Sequence, residues 1–115
     1  MAGTNAAFMI GVPELLVLRL LEREAMYGYQ LVRAIRVVSR EAFTLAEGVV
    51  YPLLHALEEK GLVKGKARLY EGRTRIYYSL TGKGRTRLAQ LTATWTRVSG
   101  GVEAVLNPQE GAPHE

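Results

Sequence analysis

The sequence of 115 residues contains no cysteine, which excludes a disulfide framework and any metal site built on thiolates. It has only two histidines. His55 lies within a helical pattern and His114 lies next to the C-terminus, so the sequence shows no metal-ligand spacing and no nucleophile with a neighbouring base. We therefore expect no metal, no cofactor and no enzymatic activity.

Long hydrophobic runs are also missing. No segment reaches the roughly 18 apolar residues of a membrane span, and the apolar stretch before Pro13 has no basic flank of the kind that export signals carry. The sequence therefore predicts a cytoplasmic protein without a membrane partner. Its length and 48% hydrophobic content suit a single small domain.

Two helical patterns occupy the first 40 residues. Pro13 suits a first helical position, and the leucine-rich segment 14–24 predicts a core helix. The segment 27–29 (YGY) marks a break before a second helix that should extend to about Arg40. Its buried side is predicted to contain Leu31, Ile35 and Val38. A line of arginines is either a solvated face or a further contact surface: Arg33, Arg36 and Arg40.

A third helix follows a connector, 41–45, that is short enough for a helix-turn-helix. Thr44 and Glu47 have the spacing of a capping box, although Ala46 could instead be the first helical residue. Residues recur at the spacing i, i+3, i+4, i+7 on the predicted buried face: Val50, Leu53, Leu54 and Leu57. Pro52 is expected to kink this helix or loosen its first turn.

A strongly cationic hairpin comes next. Cations alternate along the first strand, residues 71–72 (EG) form the predicted turn, and Arg73, Arg75 and Tyr77 alternate on the returning strand. Ile76, Tyr78 and Leu80 should point to the core, because successive side chains in a strand switch faces. From residue 62 to residue 80 five cations stand against one acid, and the resulting charge of +4 equals the formal net charge of the whole chain.

A helix followed directly by a basic hairpin predicts a recognition helix and its wing, in a mainly α fold with a small β-hairpin. An α-helix fits the major groove of DNA, and cations beside it reach phosphates. The candidate contacts on the helix are Gly48, Val49, Tyr51, Pro52 and His55. The candidate contacts on the hairpin are Lys64, Lys66, Arg68, Arg73 and Arg75. Alternatively both faces are only solvated, and Tyr51 packs beside Pro52 instead of donating to a phosphate.

The last helix should begin after Thr81, which can cap it, and extend to about Leu106. Its apolar residues alternate in steps of three and four, the seam by which helices pack together: Leu88, Leu91, Trp95, Val98, Val102 and Val105. This seam packs either against other helices of the monomer or, as we expect, against a second copy of the chain. The segment 107–115 combines proline, glycine and charge and is expected to be disordered.

Four ordered segments resemble the PadR family of winged-helix transcriptional regulators: 27–31 (YGYQL), 48–54 (GVVYPLL), 57–63 (LEEKGLV) and 75–81 (RIYYSLT). The resemblance extends from about residue 14 to residue 106. It implies a dimeric, mostly repressing, DNA-binding protein whose C-terminal helix mediates dimerisation, within the smaller subgroup that includes regulators of multidrug export. Two features depart from the family pattern. Val49 replaces a small hydroxyl residue, and residues 82–84 (GKG) replace a commonly acidic helix start.

Trp95 has two possible roles. A tryptophan in a helical seam usually packs in an interface, but the resemblance implies that some multidrug-type regulators use it to sandwich planar hydrophobic compounds. The candidate ligand-binding residues are Trp95, Leu91, Val98 and Ser99, with Phe8 or Met9 of the N-terminal arm covering the opening.

The sequence thus predicts an N-terminal arm (1–12), a winged helix-turn-helix domain (13–81), a dimerisation helix (82–106) and a tail (107–115). Its predicted function is that of a ligand-responsive repressor, which binds duplex DNA as a homodimer. The alternative is a winged helix that serves as a protein-interaction module without specific DNA binding. Because phosphate contacts carry no sequence information, the operator is not predicted.

Overall fold

The computed structural model describes residues 10–109, which form a mainly helical fold with one small sheet. The helices and strands, in chain order, are α1 (Val12–Arg23), β1 (Met26–Tyr27), α2 (Gly28–Val38), α3 (Glu47–Glu59), β2 (Val63–Tyr70), β3 (Arg73–Leu80) and α4 (Gly82–Leu106). The predicted class, helices with a β-hairpin in winged helix-turn-helix order, is confirmed. The arm residues Phe8 and Met9 and the end of the tail lie outside the described residues.

The sheet is antiparallel, with strand order β1-β3-β2. At the hairpin turn both Glu71 and Gly72 adopt left-handed backbone angles, with φ of 51° and 76°. Such angles at both central residues match the twist of the flanking strands. Strand β1 was not predicted, because two residues are too short to show an alternating pattern. It pairs Met26 with Tyr78 and Tyr27 with Tyr77.

The core lies between the first three helices and one face of the hairpin. Its largest fully buried side chains are Leu18, Leu31, Leu54 and Leu57. Most of the predicted stripe of α3 is buried, whereas Leu53 is half-buried and packs against the edge of the core.

Two predicted core residues are exposed instead. Val38 is 59% exposed, because it is the last residue of α2 and borders two open surface grooves, one of them beside Leu16 and Leu20 of α1. Ile76 is 45% exposed. It shares a sheet face with the buried Tyr78 but lies farther toward the tip of a hairpin whose strands, at about 3.4 Å per residue, extend about 27 Å.

The predicted capping box of α3 is wrong. The helix begins at Glu47, its N-cap is Ala46, and no side chain caps it. The Ala46 carbonyl accepts hydrogen bonds from the Val49 and Val50 N–H groups at 2.9 and 3.1 Å, so the backbone alone closes the first turn. The helix continues through Pro52, its sixth residue, to Glu59.

The predicted end of α2 is also displaced. The helix stops at Val38 rather than near Arg40, because Arg40 and Glu41 have φ of 56° and 65°. Two successive left-handed residues cannot continue a right-handed helix. The Glu41 N–H instead donates to the Arg36 carbonyl at 2.7 Å and closes the end of the helix.

The junction between the hairpin and α4 is tightly bonded, and the predicted cap at Thr81 is confirmed. Its hydroxyl accepts from the Gly84 N–H at 3.0 Å and donates to the Gly61 carbonyl at 2.7 Å. A Cβ at Gly84 would lie 2.1 Å from the Leu62 carbonyl oxygen, so only glycine fits there. Of the two glycines at the start of α4, Gly84 is thus required by the close approach of the helix to the hairpin, whereas a Cβ at Gly82 meets no atom within 4 Å.

Helix α4 also packs on α1 through a bidentate ion pair. The Nε and Nη2 atoms of Arg87 donate to the two carboxylate oxygens of Glu14 at 3.0 and 3.2 Å. The hydrogen bond from Arg87 to Glu14 raises the arginine's pKa above its usual range. The pair connects the first turn of α1 to α4 and therefore fixes how the long helix leaves the domain.

Candidate nucleic-acid interface

The side of α3 opposite its buried stripe is open to solvent. Gly48, Pro52 and His55 are exposed, as is the neighbouring Val49. A Cβ built at Gly48 meets no atom within 4 Å, so another molecule can approach the backbone of the first helical turn closely. The structure therefore places these four predicted contact residues on one accessible helix surface.

Tyr51 differs from them because its ring packs inside the molecule. A Cβ built at Gly28 would lie 2.4 Å from both Cε1 and Cζ of Tyr51. The ring thus rests directly on the first residue of α2. It is half-buried and lines a cleft between α3 and the hairpin.

A cleft of about 520 Å³ separates α3 from the outer part of the hairpin. Its lining residues are Tyr27, Gly28, Tyr29, Tyr51, His55, Arg73, Arg75, Ile76 and Tyr78. The cleft joins Tyr51 and His55 of the predicted recognition helix to two predicted wing arginines. Sequence reasoning missed Tyr29, which is half-exposed at the start of α2; its position in the segment 27–29 (YGY) was the only feature that could have indicated it.

The five wing cations share one face of the sheet, as predicted. The register places Lys64 opposite Ser79, Lys66 opposite Tyr77 and Arg68 opposite Arg75. Residues directly opposite one another on antiparallel strands share a face, and the positions of Lys64, Lys66 and Arg68 alternate along β2. The register places all five on the sheet face opposite the one that covers the core, and Arg73 and Arg75 also border the cleft beside α3.

Two of these cations also contact aromatic rings. The Arg68 guanidinium carbon lies 3.8 Å from the ring centroid of Tyr77, and that of Arg75 lies 4.3 Å from the ring centroid of Tyr27. The two tyrosine rings meet edge to face, with centroids 5.2 Å apart. The cationic face therefore has an aromatic centre. The sequence indicated Tyr77 on this face but not Tyr27, because strand β1, which brings Tyr27 there, was not predicted.

The inner face of the hairpin holds the wing against α3. The carboxylate of Glu58 accepts a hydrogen bond from the Gly65 N–H at 3.2 Å. Burial raises the pKa of the nearby Tyr78 phenol above its usual value of 10.0, and the charges of Glu58 and Tyr51 raise it further. These contacts set the distance between the wing and the recognition helix.

Among residues 10–109, no helix is long and apolar enough to cross a membrane. The same residues contain no group of three or more metal-ligating side chains that could hold an ion.

The family model described as the transcriptional regulator PadR-like family matches residues 17–90, well over half of the chain. The chain belongs to this family. Its members are transcriptional regulators, which agrees with the fold described above.

Three proteins illustrate the similarity to this PadR-family chain. A transcriptional regulator of Mycobacterium tuberculosis is 38% identical over 53 residues, which make up 46% of this chain and 50% of that protein. The crystal structure of a PadR-like transcriptional regulator from Bacillus cereus has a TM-score of 0.79 and 28% identity, covering 90% of this chain and 100% of that one. A Streptococcus transcriptional regulator has a TM-score of 0.77 and 31% identity with the same coverage.

The PadR-family chain has a second cavity, of about 340 Å³, between α4 and the start of α1. It is lined by Ile10, Gly11, Val12, Leu15, Leu91, Thr94, Trp95 and Val98. Three of the four predicted ligand-binding residues thus lie together. Ser99 does not line this cavity, and its hydroxyl donates within α4 to the Thr96 carbonyl at 3.4 Å.

The apolar seam of α4 is open beyond its first turns. Leu88 is buried and Leu91 half-buried, but Trp95 and Val102 are 51% and 53% exposed, and Val105 is still more exposed. Packing on α1 therefore covers only the start of the seam. Its remaining length is a continuous apolar stripe with no cover within the part of the chain that the structure describes.

Proposed function

We propose that this PadR-family regulator binds duplex DNA as a homodimer, with α3 in the major groove and the wing on the phosphate backbone. The observation that carries this proposal is the cleft that joins the exposed side of α3 to Arg73 and Arg75. A helix with an adjacent cationic strand matches both the width of a major groove and the charge of the backbone that borders it.

The exposed residues of α3 suit different parts of a base edge. The His55 imidazole can exchange hydrogen bonds with base nitrogen and oxygen atoms, while the Val49 side chain is apolar and matches a thymine methyl group. Gly48 and Pro52 add no bulky side chain, so they allow the helix to lie deep in the groove. Tyr51 is proposed to reach a phosphate with its hydroxyl while its ring rests on Gly28.

Dimerisation through α4 is supported by its exposed seam. The helix has 25 residues and is about 37 Å long at 1.5 Å per residue. A second copy would cover the side chains of Val98, Val102 and Val105. This burial would stabilise the dimer by roughly 25 cal/mol for each Å² of apolar surface removed from water. A two-fold dimer would also present two recognition helices to two half-sites of DNA.

A planar hydrophobic compound is the proposed effector, and the cavity beside Trp95 is its proposed site. In a dimer the two seams face each other, so the two indole rings would offer stacking surfaces to a flat guest. Because α4 follows the wing through Thr81, a change in the angle between the two α4 helices would change the spacing of the recognition helices. Ligand and DNA binding would then be coupled, and repression would be relieved by the ligand.

The proposal is tested with duplex DNA of mixed sequence, because backbone contacts do not require a known operator. If each subunit neutralises about three phosphates, the slope of log affinity against log salt should be roughly −5, from about −0.9 per phosphate. Replacing Arg73 and Arg75 with alanine should flatten this slope by about 3 to 4 units and weaken binding to all sequences alike.

Arg97→Ala is the matched control for charge. Arg97 is exposed on α4, about 22 Å along the helix from the end that adjoins the wing. The salt slope of Arg97→Ala should therefore equal that of the wild type. A wild-type protein that shows no salt-dependent binding to duplex DNA would instead support a protein-interaction module. An unchanged slope in the wing variant would mean that the wing does not contact the backbone.

A further inference from the structure

Four side chains form a continuous stack across the outer face of the sheet. The order is Arg68, Tyr77, Tyr27 and Arg75, and the successive separations are 3.8, 5.2 and 4.3 Å. We call these four residues the Arg–Tyr stack. A guanidinium lies at each end, and the two rings between them meet edge to face at 73°.

The stack separates two like charges. Arg68 and Arg75 are directly opposite each other on β2 and β3, a position in which like charges destabilise a sheet. Each guanidinium turns instead toward the electron-rich face of a different ring, which attracts cations. Since Tyr27 belongs to β1, the short first strand is what provides the second ring.

A guanidinium held over a ring face is attracted by the ring without forming a hydrogen bond to it, so its N–H groups remain available to another acceptor. These N–H groups are the part of arginine that hydrogen-bonds to phosphate oxygens. Arg75 borders the cleft beside α3, and Arg68 borders a second depression of about 430 Å³ together with Lys66. The two ends of the stack therefore open onto two different concave surfaces.

The other three wing cations differ from this pair. Lys64, Lys66 and Arg73 make no ion pair and no ring contact with any residue in the range 10–109. Their long side chains must lose rotamer freedom when they meet a phosphate, whereas those of Arg68 and Arg75 have already lost part of it.

We infer that Tyr27 and Tyr77 are positioning residues, which hold Arg75 and Arg68 in advance for two backbone phosphates per subunit. This inference rests on the proposed DNA binding and names the groups that prepare the wing for it. Ordering one long side chain before binding is equivalent to about 2- to 12-fold in affinity. Neither tyrosine is required to touch DNA.

The test compares Tyr27→Leu with Tyr27→Phe, because phenylalanine keeps the ring and leucine keeps only apolar volume. Binding to mixed-sequence duplex is measured at several salt concentrations. The leucine variant should bind about 2- to 12-fold more weakly for each subunit, so that the loss for the dimer is the square of this factor. Its salt slope should be unchanged, since each Arg75 still reaches its phosphate once its side chain is ordered on binding. The phenylalanine variant should match the wild type. Arg75→Ala, which removes the contact itself, should flatten the slope by about 0.9 per subunit.

The side-chain NMR signals of Arg68 and Arg75 in the free protein provide an independent readout, because a ring face shifts the resonances of protons above it. The Arg75 signals should show this shift in the wild type and in Tyr27→Phe and lose it in Tyr27→Leu. Tyr77→Leu is the equivalent test for Arg68. Tyr77 is buried, so Tyr77→Leu also opens a cavity and loses stability for that reason alone. If that variant does not fold, the test uses the variants of the half-buried Tyr27.

The outcomes distinguish the positioning role of the tyrosines from the proposed DNA binding on which it rests. A wild-type protein without salt-dependent duplex binding overturns both. If the wild type binds and a folded Tyr27→Leu variant binds with equal affinity, DNA binding stands and the positioning role is wrong. A fall in affinity accompanied by a flatter salt slope would also overturn it, because Arg75 would then have lost its phosphate contact.

Discussion

The ring of Tyr51 occupies the space that a side chain at Gly28 would fill. The nearest ring atoms lie 2.4 Å from the position of a Cβ there, far closer than van der Waals contact. Tyr51 belongs to the proposed recognition helix, and Gly28 is the first residue of α2. The glycine therefore sets how closely the two helices of the helix-turn-helix approach each other.

Gly28→Ala should destabilise the protein by about 1–3 kcal/mol, because the new methyl group forces the Tyr51 ring or the start of α2 to move. Urea unfolding measures this change. In a Tyr51→Ala background the same glycine substitution should cost much less, and the difference gives the coupling between the two sites.

Gly48→Ala provides the control for the effect of glycine itself. It lies in the first turn of α3, where a Cβ meets no atom within 4 Å, so alanine should stabilise the protein by about 0.5–1 kcal/mol. If Gly28→Ala behaved like Gly48→Ala, the packing of Tyr51 on α2 would be contradicted.

Placing charges on the exposed seam of α4 should produce monomers. A Val98→Asp, Val102→Asp double variant would bury two carboxylates from each subunit between the paired helices, which costs several kcal/mol in the absence of partners. Sedimentation should show a dimer for the wild type and a monomer for the variant. Ala93→Asp, on the opposite side of the same helix, should remain dimeric. A dimeric double variant would show that another surface joins the subunits.

A flat hydrophobic dye should quench the fluorescence of Trp95, the only tryptophan of the chain. Neither Trp95→Ala nor Trp95→Phe retains a tryptophan, so their dye binding is followed through the absorbance of the dye. Trp95→Ala should abolish dye binding while leaving DNA affinity largely intact, and Trp95→Phe should retain part of the dye binding because a ring still stacks. Saturating dye should lower the DNA affinity of the wild type and, to a smaller extent, of Trp95→Phe, but not that of Trp95→Ala. If the emission stayed constant across a panel of planar compounds, Trp95 would be a packing residue of the interface.

The stability of the protein should fall above about pH 10, partly because of Tyr78. Burial raises the pKa of its phenol above the unfolded value of about 10, so the folded state retains a proton that the unfolded state releases. The stabilisation from Tyr78 is therefore complete below pH 10 and is lost as the pH rises through the folded pKa.

Tyr78→Phe should reduce this alkaline loss in urea unfolding measured from pH 8 to pH 11. Tyr70→Phe, at the half-exposed tip of the wing, is the matched control and should leave the profile close to that of the wild type. An identical fall in Tyr78→Phe would mean that other groups account for the whole effect.

The order of helices and hairpin follows from the sequence alone. Apolar periodicity is a local property, so it correctly predicted the buried side of α3 through Val50 and Leu57 and the cationic face of the hairpin. The Thr81 cap was likewise predictable, because the bond to Gly84 joins residues three positions apart. The alternation of side chains along the strands also correctly predicted that all five wing cations share one face of the hairpin.

Only the tertiary structure decided which of these residues meet. Tyr27 reaches the wing through a pairing across some 50 residues of chain, and Glu14 reaches Arg87 across 73, and no local pattern encodes such distances. Val38 and Ile76 were placed in the core by periodicity, but they lie where α2 ends and where the hairpin extends beyond the helices. Periodicity predicts the face on which a side chain lies, whereas its burial depends on whether another element covers that face.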